Sequence, residues 1–110
     1  MLCFFLMEGF QKIGSTSELP PEGEAREFPC GARTICVANV NGAYGAIDNV
    51  CPHRGGPLGQ GVVHEGQVVC PWHGWQFDPL TGRSGQSTVA VDSYDLRIEG
   101  EEVFAKLRDP

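Results

Sequence analysis

Long apolar runs are missing from this 110-residue chain, and so is any sustained apolar stripe at helical spacing. The first absence leaves no membrane-spanning helix, which needs about 20 apolar residues, and the second argues against a helical bundle. Basic residues are scarce as well. Eight Lys and Arg against fourteen Asp and Glu give a net charge of −6, and an acidic surface of that kind repels a phosphate backbone, so nucleic-acid binding is not expected. Disulfide spacing is absent too: the five cysteines are an odd number, which fits a reducing compartment where cysteines are buried or bind metal. The apolar start, Met1 to Met7, spans only seven residues and has no basic flank, so it reads as a terminal extension rather than a signal peptide. With no targeting segment to export it, the expected location is the cytoplasm. No acid–base or nucleophile constellation stands out, which speaks against a self-sufficient enzyme.

What the chain does have is turns. Fifteen Gly and eight Pro favour strands and loops, and the hydrophobic share of 41% allows a modest core. A first strand is expected over Phe10–Ile13, and residues 15–24 read as a loop. Asn41-Gly42 lies between β-rich runs at 34–40 and 43–47, a strong hairpin signal because both turn positions need positive φ. Glu65-Gly66 marks a second hairpin between 62–64 and 67–70. A third joins 94–98 to 103–107 through a longer loop, Glu99 to Glu102, and a short strand is expected over 76–78. Short strands with Gly-bearing turns every ten or so residues predict an all-β sandwich or barrel.

Cysteine and histidine gather in the middle third. Residues 51–85 are neutral, while 1–50 and 86–110 each carry a net charge of −3. The middle segment holds Cys51-Pro52-His53 and, after a gap of sixteen residues, Cys70-Pro71-Trp72-His73. Each half offers one thiolate and one imidazole on a Gly- and Pro-rich loop, and the hairpin between them would bring the loops together. Pro after each Cys fixes φ and removes a donor, holding the loop in one shape. Three readings stay open at this point: a chance grouping, a structural zinc on a Cys₂His₂ set, or another metal group. Zinc sites usually pair like ligands, whereas each half here mixes them.

The stretches Cys51 to Gly59 and Cys70 to Asp78 resemble the two cluster-binding loops of Rieske proteins, whose pattern is C-x-H followed at this distance by C-x₂-H. The resemblance implies one [2Fe–2S] cluster, with Cys51 and Cys70 on one iron and His53 and His73 on the other. It also implies a Rieske-like β-sandwich base (8–47 and 86–108) with a small cluster-binding subdomain (about 48–85) of two loops and a hairpin, after the extension 1–7. Two ferric ions, two sulfides and two thiolates sum to zero, so the reduced cluster is only singly negative and its potential lies above that of a four-Cys cluster. Within the family, the positions of the extra disulfide cysteines are Gly56 and Trp72, and those of the Ser and Tyr that bond the sulfurs are Trp75 and Phe77. That pattern resembles the low-potential type, about −150 mV rather than about +300 mV.

By the same resemblance, the chain is a soluble one-electron ferredoxin, monomeric when free. It would take electrons from a flavin reductase and deliver them to a terminal oxygenase such as an aromatic-ring-hydroxylating dioxygenase. The alternative is the small Rieske subunit of an assimilatory nitrite reductase. Among the remaining residues, His64 reads as a solvated hairpin residue and Cys36 as small core. Cys3 and Cys30 have no spacing that suggests chemistry. Trp72 and Trp75 read as packing over the site, with partner contact the alternative for them. Pro57 and Leu58 are expected to form an apolar rim at the tip.

Overall fold

The computed structural model describes residues 9–52, 55–72, 74–84 and 89–108. Nine strands follow one another among them: β1 (Gln11–Ser15), β2 (Ala25–Cys30), β3 (Arg33–Val40), β4 (Ala43–Asp48), β5 (Val62–His64), β6 (Gln67–Val69), β7 (Gln76–Phe77), β8 (Ser93–Glu99) and β9 (Glu102–Leu107). Six form an antiparallel sheet in the order β1-β9-β8-β4-β3-β2, and β5-β6-β7 form a second. Short 3-10 turns cover Thr16–Glu18 and Leu58–Gln60. No helix among the described residues is long and apolar enough to cross a membrane.

All six strands of the large sheet supply one core: Ile13, Phe28, Ile35, Val37, Ala46, Tyr94, Val103 and Ala105. The sheet curls until its edge strands meet; a Cβ on Gly14 of β1 would stand 3.1 Å from the Phe28 ring of β2. The two layers of the expected sandwich are thus halves of one curled sheet. Strand alternation then produces a second core. Ile35 and Val37 face inward, while Cys36 and Ala38, with Ile47 of β4, point out of the opposite face to meet Leu58, Val68 and Phe77. This is why β3 is buried over five consecutive residues, Ile35 to Asn39, instead of alternating.

The Asn41-Gly42 and Glu65-Gly66 turns form as predicted, each with two positive φ angles. The third hairpin is tighter than expected. Glu99 pairs with Glu102, leaving Gly100-Glu101 as a two-residue turn rather than a four-residue loop. The first strand runs two residues further than predicted, to Ser15. Strand β2 was absent from the expectation: it exposes Arg26, Glu27 and Pro29 and buries only Phe28 and Cys30. It lies at the sheet's edge, the position where Pro costs no ladder bond. The extension 1–7 lies outside the described residues.

Candidate metal centre

Both predicted loops are closed in the same way. The Cys51 N–H donates to the Gly56 carbonyl (2.9 Å), and the Cys51 carbonyl accepts from the Gly55 N–H (2.7 Å). In the second loop, the Cys70 N–H donates to the Trp75 carbonyl (2.7 Å) and the Cys70 carbonyl accepts from the Gly74 N–H (3.0 Å). The register continues outward: Val50 bridges Pro57 as Val69 pairs with Gln76. Gly55 and Gly74, each four residues after its Cys, adopt φ of 79° and 74°, the left-handed region that glycine enters at no steric cost. Two sequence segments of different composition therefore close with the same pair of hydrogen bonds and the same glycine conformation. Each starts from a buried cysteine in the second core, beside Leu58, Val68 and Phe77.

Gly56 brings the two loops together. A Cβ there would lie 2.6 Å from Cys70 Sγ and 3.1 Å from the Trp72 ring, so only a bare Cα lets the first loop approach the second loop's thiol. Trp72 spans this junction while remaining 57% exposed. The root of the first loop is fixed by charge. The Tyr94 hydroxyl donates to Asp48 Oδ1 (2.7 Å) and accepts from Arg33 Nη1 (3.0 Å), which also reaches Asp92 Oδ2 (3.2 Å). Burial, and then the bond to Asp48, push the Tyr94 phenol up to about 12.

Of the four predicted ligands, Cys51 and Cys70 stand on these matched loops, and His53 and His73 lie outside the described residues. Among the described residues no three Cys, His, Asp or Glu side chains gather as a metal set. The expected apolar rim is corrected. Leu58 is wholly buried and Pro57 half-buried, because the Leu58–Gln60 turn folds under the loop into the second core. The exposed apolar side chains beside the cysteines are Trp72 and Val50, the latter 61% exposed. Cys36 is core as expected, its thiol pushed up to about 12 by burial and by Glu27. His64 is exposed on its hairpin. Sequence reasoning missed Asn49 and Glu27, whose side chains tie the first loop to β2 (2.6 Å); twenty-two residues separate them, and no local pattern links the two.

The family model described as Rieske [2Fe-2S] domain matches residues 9–95. Among curated proteins, Apoptosis-inducing factor 3 of Homo sapiens is 34% identical over 86 residues, 76% of this chain. The chain spans only 14% of that protein's length. The biphenyl 2,3-dioxygenase ferredoxin component of Rhodococcus jostii (strain RHA1) is 31% identical over 98 residues, 87% of this chain and 91% of that protein. Among solved structures, the ferredoxin of carbazole 1,9a-dioxygenase from Nocardioides aromaticivorans IC177 matches with a TM-score of 0.78 and 26% identity, covering 90% of this chain and 98% of that one.

Proposed function

Because the chain belongs to the Rieske [2Fe–2S] domain family, we propose that it is a one-electron carrier whose cluster is held by Cys51, His53, Cys70 and His73. The observation that carries this reading is the pair of equivalent loops, each presenting one buried cysteine and joined where Gly56 lies against Cys70 Sγ. The donor chemistry fits: two thiolates for one iron, and one imidazole from each loop for the other. When bound, such a cluster supplies a single electron-accepting and electron-donating centre. The chain's own residues hold the thiols out of water and keep both loops in one shape.

The 48–85 segment is assigned as the cluster-binding subdomain and 8–47 with 86–108 as the base. In support, both loops and the whole three-stranded sheet fall within 48–85. The proposed donor is a flavin-dependent reductase and the acceptor a terminal oxygenase. The similarity to a dioxygenase ferredoxin component over nearly its full length supports that acceptor. Trp72 and Val50 offer an apolar contact beside the cysteines, and the acidic flanks steer toward a basic partner. The carrier is proposed to act as a cytoplasmic monomer.

The test is to purify the chain, reduce it with a flavin reductase and record its EPR spectrum, then add an oxygenase and follow reoxidation. A red-brown protein with a reduced-state signal is expected. A colourless protein, or an EPR-silent reduced sample, would overturn the assignment.

A further inference from the structure

The two loops share their closing hydrogen bonds but not an anchor. In the second loop the pairing runs on past Val69 and Gln76 to Val68 and Phe77, inside a regular ladder. The corresponding residues of the first loop are Asn49 and Leu58. The Leu58 N–H does reach the Asn49 carbonyl (2.7 Å), but the chain then turns into the Leu58–Gln60 3-10 segment and the ladder ends. Pro57, one residue earlier, has no N–H to give. A side chain takes over where the backbone stops: Asn49 Oδ1 accepts the next donor, the Gly59 N–H, at 2.6 Å.

The other end of that amide is fixed as well. Asn49 Nδ2 donates to Glu27 Oε2 (2.6 Å), and Gln60 Nε2 donates to Glu27 Oε1 (3.2 Å). A carboxylate only accepts and a backbone N–H only donates, so both contacts force the same orientation of the Asn49 amide. The fit is close. A Cβ on Gly59 would stand 2.5 Å from Glu27 Cγ and 2.8 Å from Asn49 Oδ1. Leu58, held by this arrangement, packs beside Cys51 and Cys70.

We propose that Glu27 and Asn49 are positioning residues for the cluster: a carboxylate–amide clamp that replaces the missing ladder and sets where the first loop carries Cys51 relative to Cys70. The inference rests on the cluster assignment above. In its absence the Leu58–Gln60 turn would keep the Leu58 packing and the Leu58–Asn49 backbone bond but lose its polar side-chain ties to β2, and the wall behind both cysteines would shift.

The test uses the cluster-loaded protein with the variants E27Q, N49D and E27Q/N49D. N49D sets two carboxylates face to face. The double variant restores a donor facing an acceptor with the polarity reversed, and the carboxylate it places at position 49 still accepts from the Gly59 N–H. Expected is iron release to a chelator about 10-fold faster in N49D, with altered EPR line shape, and recovery of both in the double variant. V103A, which destabilises the base core on the far side of β3, controls for general loss of stability and should leave the EPR line shape unchanged. If N49D fails to fold, E27A, which removes the acceptor outright, decides: a line-shape change absent from V103A supports the clamp. Wild-type EPR and wild-type iron release in E27A, or in N49D where it folds, would overturn it. A wild-type protein that never holds a cluster would instead refute the assignment of function.

Discussion

Gly55 and Gly56 are neighbours in the first loop, yet they are glycine for different physical reasons, and a four-variant series separates them. Gly55 sits at φ +79° with no atom of the other described residues within 4 Å of where its Cβ would be. Alanine there meets none of those atoms and pays for the left-handed backbone, about 1–2 kcal/mol. Asn, whose short polar side chain tolerates that region, should cost less than Ala. Gly56 has no such backbone demand; its Cβ would lie 2.6 Å from Cys70 Sγ and 3.1–3.2 Å from the Trp72 ring. Ala there must move one loop off the other, at about 1–3 kcal/mol for overpacking, and the larger Asn must cost more. The order of Ala and Asn therefore reverses between adjacent positions. With an m-value of about 1–2 kcal/mol/M, the urea midpoint should fall by about 1 M in G55A and recover in part in G55N. G56A should also lose iron to a chelator faster than G55A, because the displaced group is a cysteine thiol assigned to the cluster. The same Ala–Asn order at both positions would refute this account of the two glycines.

Three further outcomes are expected. Redox titration should place the midpoint near the low end of the Rieske range, about −150 mV, since Trp75 and Phe77 offer the sulfurs no hydroxyl; a value above about +100 mV would sink that inference. Leu58→Ala should cost about 2–5 kcal/mol by urea unfolding, as expected of a wholly buried side chain, whereas a rim residue would cost almost nothing. Alkaline stability should fall from pH 9 toward pH 12. Cys36 is raised from 9.0 to about 12 in the fold, so its contribution is complete below pH 9 and is lost as the pH rises through 12. C36A should flatten part of that fall in the urea midpoint, and parallel curves for the two proteins would count against it.

The features legible in the sequence are those decided within a few residues. Asn41-Gly42 and Glu65-Gly66 each place two positive φ angles side by side, so their hairpins form wherever the flanking strands lead. The two Cys-Pro segments are equally local, and their bends close within five residues of each cysteine. Strand β2 was not legible, because an edge strand with Arg26, Glu27 and Pro29 shows too little alternation to be distinguished from a loop. Leu58 misled for a related reason. Its Gly- and Pro-rich surroundings suggest a surface, but the turn is drawn inward by Cys36, Ala38 and Ile47, which are distant in sequence. The clamp was out of reach for the same cause: Glu27 lies twenty-two residues from Asn49.

The two cores also explain how a chain of this size can hold a rigid site. A separate metal-binding lobe would need its own stable interior, which about 40 residues rarely supply. Here β3 and β4 serve both interiors at once. Ile35, Val37 and Ala46 hold the curled sheet together, while Cys36, Ala38 and Ile47, between them along the same strands, floor the cysteine loops. Neither face of these strands can move without straining the other, so the second core gains stiffness from the first. The second loop connects to that floor through the β6–β7 ladder, and the first through two side chains and a glycine. Of the two halves of the site, the first is therefore the one that single substitutions should disturb most readily.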